Sequence, residues 1–322
     1  MMEKIEMTVS PDDKPLIDRI TLSIDSGQST LFAIQAPAGD IKQLYFDFDG
    51  TLIDTLWIQQ KAFKSTFSQL ISLFAAQTHS VEPSVFIKQL IDEDFGSKRV
   101  ISILESIVTY FLGNYPEDHV AALLKLMDSY HSHFSDDACE EILLELRRIH
   151  GSVLDPVAQK IIAVSLYLVY VELYEHEVQR ILEKESNFSN LIYPGVFDFL
   201  ERCAGHEIAI ISGGSLSRVS GVVNRTKLEN YFGNQIYSPS GVARLVKGAR
   251  FKMDSLKELV KSHSKESALF IDDQAHVIQQ AKELGINTLG IIHHVKDVER
   301  MLKVGPTFIL THDFTGLRDF VF

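Results

Sequence analysis

Short, nearly continuous apolar runs recur along the second half of the chain, and each is followed by polar or small residues. Runs of this kind are typical of strands that are buried on both faces of a parallel sheet. Between them lie stretches with apolar residues at helical spacing, so the pattern alternates strand and helix. This alternation predicts an α/β fold, a doubly wound parallel sheet with helices on both faces. The predicted strands are 41–46, 207–211, 235–238, 268–271, 286–292 and 307–310, and the clearest predicted helices are 196–204, 253–262 and 276–284.

The pattern changes between residues 57 and 192. Phe63, Phe67, Leu70 and Phe74 repeat at helical spacing, and later stretches do the same. No segment of this region has the alternation or the compact apolar runs of a strand. The sequence therefore predicts an all-helical cap domain at 57–192, inserted between the first strand of the α/β core (41–56) and the remainder of that core (193–322).

Residues 1–40 form a separate N-terminal extension with a different pattern. Residues 20–24 alternate apolar and polar side chains, Ser26-Gly27 provides a turn, and 30–34 could return as a second strand. This pattern predicts a β-hairpin, which would extend the edge of the main sheet or contact a partner.

Composition narrows the possible partners and compartments. The net charge of −12 over 322 residues, with no basic block, argues against nucleic acid. Two cysteines, Cys139 and Cys203, are too few for a disulfide framework, which favours a reducing compartment. The first residues lack the apolar segment of a signal peptide, and the most apolar run, 161–171, is too short to span a bilayer. We expect a cytoplasmic protein that does not bind membranes.

Polar side chains follow three of the predicted strands at the point where each strand ends. They are Asp47 and Asp49, Ser212, and the pair Asp272-Asp273. The carboxyl ends of parallel strands meet at one edge of the sheet, so these side chains should converge there. Four carboxylates in one place repel one another unless a cation lies among them, and hard oxygen ligands in that number favour Mg²⁺. Ser212 precedes Gly213-Gly214, whose backbone N–H groups can approach an anion at a helix start.

With these motifs in place, the chain resembles the haloacid dehalogenase (HAD) superfamily of phosphohydrolases with a helical, C1-type cap. The first motif of that family, Asp-x-Asp-Gly-Thr, matches Asp47-Phe48-Asp49-Gly50-Thr51. Its second motif, a Ser or Thr ending a strand, matches Ser212, and its acidic pair matches Asp272-Asp273. Its lone lysine is best matched by Lys252, which would start a helix, with Lys247 as the alternative. The resemblance covers 41–56 and 193–292, whereas 57–192 only occupies the position of the cap.

The resemblance implies a mechanism and a role for each residue. Asp47 would attack phosphorus and form an aspartyl-phosphate, and Asp49 would protonate the leaving oxygen and then activate water. Mg²⁺ would be bound by Asp47, Asp272, Asp273 and the backbone carbonyl of Asp49. The residues assigned to the substrate phosphate are Ser212, Gly213, Lys252 and Thr51.

The expected function is therefore that of an Mg²⁺-dependent phosphatase acting on a small phosphorylated metabolite. Two alternatives remain at this point. A sugar phosphomutase would use the same acids, and a non-catalytic interaction or regulatory protein could be built on the same fold. In the latter, residues 1–40 or a long cap helix at 155–185 would mediate a protein contact or self-association. His293 and His294 lack acidic or cysteine partners at ligand spacing and are interpreted as surface or core histidines.

Overall fold

The computed structural model describes residues 14–55, 188–239, 243–262 and 264–318, together with the single positions 57, 58, 61, 65 and 180. The chain divides into two compact units, Met1–Thr55 with Glu185–Phe322, and Leu56–Lys184. The predicted cap at 57–192 falls almost entirely outside the described residues. Most of the described residues belong to the first unit.

The core of the first unit is a seven-stranded sheet in the order β1-β7-β6-β5-β2-β3-β4. All neighbouring strands are parallel except β1, which pairs antiparallel with β7 at one edge. The predicted doubly wound α/β fold is thereby confirmed. The strands are β1 (Leu31–Ala33), β2 (Gln43–Phe46), β3 (Glu207–Ile211), β4 (Ile236–Tyr237), β5 (Ala268–Asp272), β6 (Asn287–Ile292) and β7 (Phe308–Thr311).

The helices of the described residues connect these strands and cover both faces of the sheet. Short 3-10 turns occur at Phe188–Leu191, Val260–Ser262, Lys265–Ser267, Val295–Asp297 and Phe314–Leu317. The α-helices are α1 (Lys14–Asp25), α2 (Val196–Arg202), α3 (Leu216–Val223), α4 (Glu229–Phe232), α5 (Ala243–Leu259), α6 (Ala275–Glu283) and α7 (Val298–Val304).

Successive side chains of the central strand β2 enter opposite layers of the core. Tyr45 belongs to the cluster formed with α1, α5, α6 and α7. Phe46 packs on the other face, edge-on to Phe199 of α2 and Phe232 of α4, with ring centroids 6.1 and 5.6 Å away. Because both faces are covered, the strand is apolar at every position from Leu44 to Phe46, which explains the continuous runs in the sequence.

The N-terminal extension differs from the predicted hairpin. Residues 20–24 lie in helix α1 rather than in a strand. Leu16, Ile20 and Ile24 recur every four residues and are buried, so the segment packs one helical face against the core. Ile20 and Ile24 lie on this buried helical face, whereas Leu22, which completed the alternation that suggested a strand, is exposed. Part of the second predicted strand, 30–34, exists as β1, and it pairs with β7 at the edge of the sheet.

The position of Lys252 also differs from the prediction. It was expected at a helix start, but α5 begins at Ala243 and Lys252 lies well inside it. Residues 243–250 have no clear apolar periodicity and include Gly248, a weak helix former. The sequence pattern therefore does not indicate that the helix begins as early as Ala243. No helix among the described residues has the length and apolar content needed to cross a membrane.

Candidate active site and metal centre

The loop after β2 carries two carboxylates one residue apart. Asp47 and Asp49 flank Phe48, which is completely buried. Gly50 then turns the chain with a φ of 76°, and its N–H donates to the carbonyl of Ile53 at 2.9 Å. A Cβ on Gly50 would stand 2.5 Å from Asp273 Oδ2, so only glycine lets the loop pass this close to the end of β5.

Lys252 joins the ends of β2 and β5. Its Nζ atom lies 2.8 Å from Asp47 Oδ1 and 2.9 Å from Asp272 Oδ2, and all three side chains are buried. Burial alone would lower the pKa of Lys252, but Asp272 and Asp47 outweigh it and raise that pKa, so the ammonium stays charged. The other oxygen of Asp272 accepts the backbone N–H of Gln274 at 2.7 Å, which fixes its orientation.

Three carboxylates at this edge are spaced to hold a metal ion. Asp47, Asp272 and Asp273 each offer one oxygen, and these oxygens all lie within 4.8 Å of one another. Asp273 Oδ1 is buried without a hydrogen-bond partner among the described residues. An orphaned carboxylate oxygen beside two other acids is what a cation would satisfy, so the residues fit a divalent metal.

The raised pKa values of two of these acids also favour a bound cation. Burial raises the pKa of Asp47 to about 7, with Lys252 opposing and Asp272 adding to the rise. Burial and the charges of Asp272 and Asp47 raise the pKa of Asp273 well above its usual range. A single lysine therefore does not balance the three acids, and a bound cation would complete the balance.

Asp49 has a different environment. Both of its oxygens are bound by Arg218, with Nη1 at 2.7 Å from Oδ1 and Nη2 at 2.6 Å from Oδ2. The hydroxyl of Thr55 also donates to Oδ1 at 2.9 Å. Burial would raise the pKa of Asp49, but Arg218 overrides it and holds that pKa below its usual range. The carboxylate of Asp49 is not part of the three-acid cluster, and the predicted use of its backbone carbonyl as a metal ligand stays a prediction.

The end of β3 supplies hydroxyl and backbone N–H groups. Ser212 is buried and its Oγ accepts the N–H of Gly214 at 3.0 Å. Gly213 lies between them, at the start of the turn that leads into α3. Thr51, on the loop after β2, is fully buried, and its hydroxyl has no hydrogen-bond partner among the described residues. These are the groups that the sequence assigned to a substrate phosphate.

The structure thus brings together the residues that the sequence singled out at three strand ends. Lys252 contacts two of the predicted acids, whereas the side chain of the alternative, Lys247, lies outside the described residues. The roles assigned to these side chains stay predictions.

Sequence reasoning missed two residues at this edge. Arg218 was not considered, although it lies six residues after Ser212 in the helix that follows. His293, at the end of β6, was interpreted as a structural histidine. Its Nε2 lies 2.7 Å from the carbonyl oxygen of Gly50, and its ring stacks on Tyr193 with centroids 4.8 Å apart. A polar residue directly after a buried strand was the available signal for His293.

Comparison with known proteins supports the fold. No protein-family model and no curated protein sequence matches the chain. Among solved structures, a protein provisionally assigned as a phosphatase from Clostridium difficile is 15% identical, with a TM-score of 0.51, over 88% of this chain and 100% of that one. A predicted phosphatase from Clostridium acetobutylicum is also 15% identical, with a TM-score of 0.50, over 87% and 98% of the two chains.

A haloacid dehalogenase-like hydrolase from Streptococcus pneumoniae is 17% identical, with a TM-score of 0.49, over 87% of this chain and 98% of that one. At these identities a likeness concerns the fold. The two structures with TM-scores of 0.50 and 0.51 therefore support the predicted α/β fold, and the chemistry has to be argued from the residues of this chain.

Proposed function

We propose that this protein is an Mg²⁺-dependent phosphatase that hydrolyses a small phosphate monoester through an aspartyl-phosphate on Asp47. The observation that carries the proposal is the position of Asp47. Its carboxylate is held at 2.8 Å by the buried ammonium of Lys252, beside Asp272 and Asp273. A nucleophile, a fixed cation and a metal-binding pair of acids are the components that phosphoryl transfer needs.

In the first step Asp47 would attack phosphorus, and the bond between phosphorus and the ester oxygen would break. The leaving oxygen would take a proton from Asp49, which lies two residues away on the same loop. Asp49 has to gain this proton first, because Arg218 holds its pKa low in the substrate-free protein. Lys252 holds the attacking carboxylate in place and adds a positive charge beside the transferring group. When bound, Mg²⁺ would supply further positive charge, so that an anionic carboxylate can approach an anionic ester.

In the second step water would attack the aspartyl-phosphate. Asp49, now a carboxylate, would accept the proton of that water, and inorganic phosphate would leave with Asp47 restored. Ser212, the backbone N–H of Gly213 and Thr51 would be the neutral donors that bind phosphoryl oxygens in both steps. The hydroxyl of Thr51 is buried and has no hydrogen-bond partner in the part of the chain that the structure describes, which supports this assignment.

The test is phosphate release from a panel of small phosphate monoesters in the presence of Mg²⁺. The Asp47→Asn variant should lose turnover because an amide cannot form the acyl-phosphate. Asp254→Asn removes a carboxylate from α5 whose side chain is 52% exposed, and it is the matched control. Brief mixing with substrate followed by acid quench should give a protein heavier by one phosphoryl group, in wild type and not in Asp47→Asn. Unchanged turnover in Asp47→Asn would rule out the covalent mechanism.

A further inference from the structure

Arg218 is a buried cation that the reaction described above does not use. It lies near the start of α3 and is 7% exposed. Its guanidinium spans from the end of β3 to the loop after β2, where it binds both oxygens of Asp49. Paired, parallel N–H···O contacts of this kind are among the stronger polar interactions in proteins. The backbone N–H of Arg218 donates to Ser215 Oγ at 3.3 Å, so the helix cap positions this residue as well.

The turn before α3 is shaped around this guanidinium. A Cβ on Gly214 would stand 1.9 Å from Arg218 Nη2, so any other residue at position 214 would displace the arginine. The same point lies 3.3 Å from Ser212 Oγ. The guanidinium therefore occupies the space beside the hydroxyl and N–H groups that are placed to bind phosphate. It belongs to the substrate side of the site.

The contacts of Arg218 and the task of Asp49 conflict in the substrate-free protein. Both oxygens of Asp49 accept hydrogen bonds from the guanidinium, and one also accepts the Thr55 hydroxyl. To protonate the leaving oxygen, Asp49 first has to gain a proton, and a protonated carboxyl no longer presents two anionic oxygens to Arg218. The guanidinium N–H groups that Asp49 gives up can then bind another oxyanion, because hydrogen bonds between ionised groups are stronger than those between neutral ones.

A substrate oxyanion is suited to replace Asp49 on the Arg218 guanidinium. Phosphoryl and carboxylate groups both present two oxygens at a spacing that matches the planar fork of arginine. Lys252 cannot fill the role, since it is already shared by Asp47 and Asp272. The position of Arg218 beside Ser212 gives an incoming oxyanion a neutral donor on one side and a cation on the other.

We propose that Arg218 is an anion-binding residue of the substrate site, whose guanidinium exchanges Asp49 for an oxyanion of the substrate and thereby releases Asp49 for proton transfer. The oxyanion belongs either to the transferring phosphoryl group or to a second acidic group on the leaving part. The proposal rests on the proposed function, but its binding step can be measured without turnover.

The first measurement is calorimetric titration of the Mg²⁺-loaded protein with orthophosphate. Arg218→Gln removes the charge, and Arg218→Lys keeps the charge but lacks the fork. Arg225→Gln removes an exposed arginine just after the same helix and is the matched control. If Arg218 binds the phosphoryl group, both Arg218 variants should weaken phosphate binding, Arg218→Gln by about tenfold or more, and the control should not. Circular dichroism verifies folding, and Arg218→Lys keeps the test valid if Arg218→Gln does not fold.

The second measurement compares ethyl phosphate with phosphoglycolate, which carries a carboxylate in place of the methyl group. An equal rise of KM for both esters in Arg218→Gln assigns the guanidinium to the transferring phosphoryl group. A rise confined to phosphoglycolate, with orthophosphate binding unchanged, assigns it to a second acidic group. If kcat falls while orthophosphate binding and both KM values stay unchanged, Arg218 only positions Asp49 and the proposal is overturned.

Failure of the proposed function gives a different result. Wild-type protein would then release phosphate from neither ester nor from the wider panel. Both esters would be titrated as ligands in the same way as orthophosphate. A loss of affinity in the Arg218 variants would still support anion binding, and unchanged affinity for all three ligands would contradict it.

Discussion

The Nζ atom of Lys252 lies 2.8 Å from Asp47 Oδ1, and this contact connects helix α5 to the end of the central strand. The same ammonium lies 2.9 Å from Asp272 on the neighbouring strand β5. Two buried acids thus share one cation, and the strand ends β2 and β5 are tied to a helix that is remote in sequence from β2. The contact is structural and chemical at once, because it keeps Asp47 oriented and compensates part of its charge.

Removal of this ammonium should weaken both fold and function. In Lys252→Met, Asp47 and Asp272 lose their cation, and breaking a buried pair in this way costs about 3–5 kcal/mol. Urea unfolding of the metal-free protein measures the loss, and phosphate release should fall with it. Lys257→Met changes a 52% exposed lysine of α5 and should shift stability by less than about 0.5 kcal/mol. Equal stability of the two variants would contradict the arrangement.

Mg²⁺ should stabilise the folded protein more as pH rises. The pKa of Asp47 is raised from 3.8 to about 7 in the metal-free fold, and that of Asp273 is raised as well. Above pH 3.8 the unfolded chain releases these protons while the fold retains them, so metal-free stability is lost as pH rises toward 7. A divalent cation binds the deprotonated acids, so its stabilisation grows in the same direction.

Thermal unfolding with Mg²⁺ and with EDTA, between about pH 5 and pH 8, measures this effect. At a free Mg²⁺ concentration about one hundred times Kd the stabilisation should reach about 2.7 kcal/mol. Asp273→Asn removes the charge of one of the three acids and should reduce it. An Mg²⁺-dependent shift that is constant across this pH range would argue against metal binding by these acids.

Gly50 should be irreplaceable for two separable reasons. Its φ of 76° is strained for other residues, and a Cβ would meet Asp273 Oδ2 at 2.5 Å. Gly27 has a φ of 68°, but a Cβ there would meet nothing within 4 Å, so Gly27→Ala isolates the backbone effect. We expect Gly27→Ala to cost about 1 kcal/mol.

Gly50→Ala should cost about 1–3 kcal/mol more than Gly27→Ala, because Asp273 has to move. It should also weaken Mg²⁺ binding, which Gly27→Ala leaves unchanged. Unfolding in urea and Mg²⁺ titration of both variants make the comparison. Equal destabilisation in the two variants would show that Asp273 is not in contact with the loop.

The sequence predicted the sheet well because its strands are buried on both faces. A run such as 207–211 is apolar with little interruption, and the strand has the predicted bounds. The acids after 41–46 and 268–271 were found for the same reason, since a charge directly after a buried strand is conspicuous. The N-terminal helix was missed because residues 20–24 satisfy both strand and helix periodicity, and only packing on the sheet decides between them.

Arg218 and Lys252 illustrate what sequence patterns leave out. Arginines in helices are mostly solvated, so nothing local marks Arg218 as buried. Its position depends on the ion pair with Asp49, which is far away in the chain, and on Gly214, because a Cβ there would meet the guanidinium. Lys252 was found only through the resemblance to a family, and its position inside α5 was not anticipated. Contacts between residues remote in sequence are a property of the folded chain.

His293 should support the loop after β2 through its contact with Gly50. Burial lowers the pKa of His293, so its ring is neutral at pH 7 and its Nε2–H can donate to the Gly50 carbonyl at 2.7 Å. His293→Phe keeps an aromatic ring on Tyr193 but loses this hydrogen bond. We expect a loss of about 1–2 kcal/mol in stability and a lower kcat, because the loop carries Asp47 and Asp49. His294→Phe changes the exposed neighbour and is the control.

The pH dependence of stability tests whether the ring of His293 is buried in its neutral form. Because the pKa of His293 is lower in the fold than in the unfolded chain, its contribution is present above pH 6.5 and is lost as pH falls through the folded pKa. The stability difference between wild type and His293→Phe should therefore shrink from about pH 7.5 to about pH 5. A difference that stays constant over this range would mean that burial does not disfavour the charged form of the ring.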